Sequence, residues 1–73
     1  MERKIKNIIV MMMYNGEYEQ MLVDSNFLEK QRLKSFKRLL DKTSDIDKVP
    51  LSALLYEIKS VRLLKRILKH LAD

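Results

Sequence analysis

Ile5, Ile8, Ile9, Met12 and Met13 recur at i, i+3, i+4, i+7 and i+8, the spacing that lines one side of an α-helix and neither face of a β-strand. Asn15-Gly16 follows, and then a second apolar run, which is also how a two-residue β-hairpin is written. Paired across such a turn, Met13 opposes Tyr18, Met11 opposes Gln20 and Ile9 opposes Leu22, while the other face sets Met12 against Glu19 and Val10 against Met21. Both faces are mixed, so neither fixes a strand register. The helical alternative makes Asn15-Gly16 a stop, with Gly16 supplying the left-handed residue that ends many helices.

Beyond the stop, Tyr18, Met21, Leu22, Ser25, Leu28, Leu33, Phe36, Leu39 and Leu40 fall within one arc of about 140° at 100° per residue. That phase predicts a long helix over 17–42, opened by Glu17 and Glu19 and closed by Lys37, Arg38 and Lys42, as the helix dipole prefers. Asp24-Ser25-Asn26 is a cap at which it can break, with Val23 and Leu28 as a hydrophobic staple around Asp24. The polar stretch from Thr43 to Pro50 is a connector, and Pro50 suits the first turn of a new helix. After it the apolar phase changes. Leu51, Leu54, Leu55, Ile58 and Val61 share one face, whereas Leu63, Leu64, Ile67, Leu68 and Leu71 share another, so a corner is predicted at 59–62. The expected fold is all-α, a single small domain of three to four helices at 2–14, 17–42, 50–59 and 61–72, with an N-terminal β-hairpin as the alternative.

A chain of 73 residues buries only about 60% of the surface its unfolded form exposes and is usually stapled by disulfides, a metal or a partner chain. There is no cysteine, and His70 is the only histidine, so neither a disulfide nor a metal is expected, and no cofactor. Self-association remains, and a homodimer is expected through the stripe Ile5, Ile8, Ile9, Met12 and Met13 or through the long helix. No uncharged apolar run approaches the roughly 20 residues of a membrane span, and the expected location is cytoplasmic. The methionines at helical spacing are core or pairing residues with no chemistry of their own.

Fifteen Lys and Arg against ten Asp and Glu give a formal charge of +5, which favours anionic partners. Most of the surplus lies late in the chain, where Lys59, Arg62, Lys65, Arg66 and Lys69 are met only by Glu57 and Asp73. Arg62, Lys65, Arg66 and Lys69 fall on one face of the last helix, opposite its leucines, and can contact several phosphates at once. A second row, Lys30, Lys34, Lys37, Arg38 and Lys42, lies on the long helix with Phe27 and Val23 among them. An exposed aromatic beside lysines can stack on a base or join a protein interface. No enzyme is expected, because His70 has no triad partner in prospect and Asp41, Asp45 and Asp47 lack the spacing of a calcium loop. The leading expectation is a small nucleic-acid-binding regulator working through phosphate contacts of the 61–72 helix. The alternative is a protein-interaction module for an acidic or helical partner, favoured by the scarcity of groups that read base edges.

Overall fold

The stripe on the first segment forms a helix, and so does the segment beyond Asn15. A computed structural model describes residues 1–59 and 61–72, with only the backbone of Val61. Helix α1 runs Glu2–Tyr14, α2 Gly16–Asp24, α3 Phe27–Lys42, α4 Leu51–Glu57 and α5 Val61–Ala72, with a 3-10 turn at Ile46–Lys48 between α3 and α4. No strand occurs among the described residues. The hairpin is therefore excluded, and the expected three to four helices are five.

The extra helix comes from the break expected near residue 25, and its cap lies within the expected stretch Asp24-Ser25-Asn26, at Asn26 and not at the Asp24 of the expected staple. Ser25 is extended and buried, its hydroxyl donating back to the Met21 carbonyl. Asn26 then starts α3, its side chain accepting from the Glu29 backbone N–H at 2.9 Å, which satisfies one of the donors a helix start leaves open. Asp24 ends α2 instead of capping α3, and Val23 and Leu28 are both exposed, so they form no staple.

The α1–α2 junction is built by Asn15 alone. Its backbone is extended, its N–H donates to the Met11 carbonyl at 3.1 Å, and its side chain accepts from the Glu17 N–H at 2.9 Å. One residue thus closes α1 and caps α2. Gly16 has no positive φ, contrary to the left-handed stop expected of it, and is the first residue of α2.

Helix α1 sits centrally, packed against α2, α5 and the 3-10 turn. It contributes Ile8, Ile9, Met12 and Met13 to the core, joined by Tyr18 and Met21 of α2, Leu33, Phe36 and Leu40 of α3, Leu54 of α4, and Leu63 and Ile67 of α5. The radius of gyration, 11.5 Å, is near the roughly 11 Å expected of a compact chain of this length. Ile8, Ile9, Met12 and Met13 are closed over by the chain's own helices, and Ile5 is partly buried against the same core. A second copy is not needed to cover this stripe.

Long-range polar contacts pin the connectors. Lys6 is only 4% exposed, its ammonium reaching the Asp47 carbonyl and the Glu2 carboxylate, each at 3.3 Å. Arg3 pairs with the Asp47 carboxylate at 3.3 Å, and Asp45 caps the 3-10 turn by accepting from the Asp47 N–H. At the other corner α4 ends at Glu57, and the Lys59 carbonyl accepts from Arg32 at 2.8 Å. The expected corner at 59–62 therefore has its flanks in place; Ser60 itself lies outside the described residues. Among the described residues no helix is long and apolar enough to cross a membrane.

Candidate nucleic-acid interface

The charge pattern predicts two basic faces, one on α5 and one on α3. On α5 the periodicity separates the cations into two rows. Arg62, Arg66 and His70, each one turn from the next, face the starts of α3 and α2. The Arg62 Nε donates to Glu29 Oε2 at 3.0 Å, and the Arg66 Nη1 donates to Glu17 Oε1 at 3.1 Å. His70 Nε2 lies 3.4 Å from both carboxylate oxygens of Glu17. Lys65 and Lys69 form the outer row, are exposed, and have no ion-pair partner among the described residues.

Glu17 and Glu29 stand in the first turns of their helices, where a carboxylate complements the dipole and the open N–H groups. The same placement lets them receive α5. The arginines fasten the last helix to the rest of the molecule, so two of the four cations on the expected phosphate-binding face already have anionic partners. His70, for which the sequence suggests no carboxylate neighbour, has Glu17 beside it; the ion pair with Arg66 and the histidine share that one acid.

Between α5 and the start of α3 lies an open groove of about 360 Å³ lined by Glu29, Arg62, Lys65, Arg66 and Lys69. No metal-holding cluster of His, Cys, Asp or Glu occurs among the described residues.

The α3 row meets a different environment. At 100° per residue Lys30, Lys34, Arg38 and Lys42 step gently around the outer side, centred about 160° away from Glu29. Lys34, Arg38 and Lys42 are exposed, Lys30 is half-buried, and none has an ion-pair partner among the described residues. Phe27, at the head of the same face, is 77% exposed, and Val23 just before it 73%. Neither is covered by the first helix.

Lys37 departs from the row. It turns toward α1 and α2, its ammonium 4.6 Å from the Tyr18 ring centroid and 5.4 Å from that of Tyr14, a cation–π arrangement that holds it against the protein. Asp41, also at the end of α3, accepts a hydrogen bond from the Tyr14 hydroxyl. The end of α1 and the start of α2 are thus tied to the end of α3 through Tyr14 and Tyr18, and Lys37 serves that contact.

No family model, curated protein or solved structure matches this chain.

Proposed function

We propose that this protein binds nucleic acid without catalysis, through phosphate contacts made by the outer row of α3. The observation that carries the reading is the row Lys30, Lys34, Arg38 and Lys42, which has no carboxylate neutralising it among the described residues. Successive cations rise about 6 Å along the helix axis and together span about 18 Å, a length over which one helix can follow several phosphates. Phe27 and Gln31 share this face; the ring offers a stacking surface, and the Gln31 amide and the Arg38 guanidinium are the groups there best suited to a base edge. Such a face holds the backbone firmly and discriminates sequence weakly. The regulatory role follows from occupancy of the nucleic acid alone.

The principal contacts thus move from α5, where the sequence points, to α3. The physical reason is competition. A phosphate of a long backbone approaching Arg62 or Arg66 shares each guanidinium with Glu29 or Glu17 and finds only part of its donors open, whereas at Lys34 or Arg38 it displaces only water and counterions.

Exposure of Val23 and Phe27 together favours a second reading, in which an acidic protein docks on the same face with an apolar side chain seated between them. One variant serves both. With Lys30, Lys34, Arg38 and Lys42 all changed to Gln, duplex binding should disappear while the melting temperature stays close to that of the parent. Retained duplex binding would remove α3 from the interface.

A further inference from the structure

The groove between α5 and the start of α3 lies on the opposite side of α3 from the outer row and is concave where that row is convex. We propose that it is a separate site for a compact oligophosphate anion. Four of its five lining residues, Arg62, Lys65, Arg66 and Lys69, are cations, and the fifth is Glu29, so the formal charge of the lining is 4 − 1 = +3. Its volume of about 360 Å³ lies in the range of small-ligand sites.

The arrangement has the two components that phosphate recognition uses. The arginines are held in place from behind. Arg62 is bonded through Nε and Arg66 through Nη1, which leaves further N–H donors on each guanidinium. A guanidinium already fixed by a carboxylate loses less side-chain freedom when it takes a second oxyanion, and its planar fork matches phosphate geometry. Lys65 and Lys69, one turn apart and without ion-pair partners among the described residues, supply point charges that can follow the ligand. Glu29 takes up part of the charge of Arg62, so the gain rises with the number of oxyanions a ligand presents to the remaining cations: an oligophosphate presents several, a simple carboxylic acid one.

Phosphoryl oxygens also occur on a nucleic-acid backbone, so the test separates the two sources. The probe is inorganic triphosphate, titrated calorimetrically into the full chain at low ionic strength. Three proteins are compared: the parent, K65Q/K69Q, and K34Q/R38Q. The lysines of the groove are exposed, so their replacement leaves the arginine–glutamate pairs that dock α5 intact. Saturable binding of one triphosphate per chain is expected, weakened by about tenfold or more in K65Q/K69Q, the equivalent of one charge-assisted contact, and changed by less than about twofold in K34Q/R38Q. Equal weakening in both variants would mean diffuse attraction and overturn the proposal. So would an absence of triphosphate binding accompanied by loss of duplex binding in K65Q/K69Q, which would assign the groove to nucleic-acid backbone instead. Triphosphate binding at the groove neither requires nor excludes duplex binding at α3.

Discussion

Glu17, in the first turn of α2, accepts from the Arg66 guanidinium in the middle of α5 at 3.1 Å, across 49 residues of sequence. Both side chains are partly sheltered, at 18% and 33% exposure. The pair therefore lies between the fully solvated kind, which contributes little, and the buried kind, whose desolvation offsets its attraction. A double-mutant cycle with E17Q and R66Q should give a coupling energy of about 1 kcal/mol or slightly less. In a domain of this size each kcal/mol moves the melting temperature by about 4–8 °C, so thermal denaturation resolves it. Additive effects of the two substitutions would show that this pair contributes nothing to the docking of α5.

Ile67 and Leu68 are neighbours in α5 with opposite fates, 2% and 56% exposed. Ile67→Ala should cost about 2–5 kcal/mol through lost burial and a cavity, a large part of the roughly 4–11 kcal/mol that a domain this long can possess. Leu68→Ala should cost roughly 0.5 kcal/mol or less. Urea unfolding of the two variants tests the rotational setting of α5; equal costs would mean that the helix is turned differently on the core.

Gly16 begins α2 with ordinary backbone angles, and a Cβ built on it meets nothing within 4 Å. Gly16→Ala should therefore stabilise the protein by about 0.4–1 kcal/mol, by restricting the unfolded chain and favouring the helix. The adjacent Asn15→Ala should destabilise by about 1 kcal/mol through loss of the cap. Opposite signs at adjacent positions are the expected outcome of chemical denaturation. A destabilising Gly16→Ala would restore the left-handed stop that the sequence suggests.

The Tyr14 hydroxyl donates to the Asp41 carboxylate, and this hydrogen bond, with partial burial and the nearby negative charge, pushes the phenol up from 10.0 to about 12. The folded value lies above the unfolded one. The contribution of this contact to stability is thus complete below about pH 10 and is lost as the pH rises through about 12. Following phenolate absorbance, one tyrosine of the parent should titrate near 12 and return toward 10.0 in Asp41→Asn. An unchanged titration in that variant would separate Tyr14 from Asp41 in solution.

Local periodicity makes most of this fold legible in the sequence. The stripe from Ile5 to Met13 specifies α1, the acid-first, base-last order along 17–42 marks its two ends, and the changed phase of the leucines locates the corner ahead of α5. The misplaced details are those where neighbouring residues compete for one role. Asp24 and Asn26 can each cap a helix, and the choice depends on Ser25 being buried and bonded to Met21. Asn15 and Gly16 can each end α1, and Asn15 ends it because its amide also caps α2. What local patterns do not show is long-range pairing: Glu17 and Glu29 look like ordinary first-turn acids, and only the docking of α5 makes them partners of Arg66 and Arg62. The four-cation face therefore looks free in sequence and is half-occupied in the fold. Lys6 is the same lesson in reverse, a cation on an apolar helix whose burial depends on a carbonyl 41 residues away.

The most direct test of a nucleic-acid interface on α3 is the salt dependence of binding to a labelled mixed-sequence DNA duplex, followed by fluorescence anisotropy. If Lys30, Lys34, Arg38 and Lys42 each displace a counterion, the logarithm of affinity should fall with the logarithm of salt concentration at a slope of about −3 to −4, roughly a hundredfold between about 50 and 200 mM. The Gln replacement of that row should leave no measurable binding at the lowest salt. Absence of binding by the parent at about 50 mM, or an affinity indifferent to salt, would contradict the assignment.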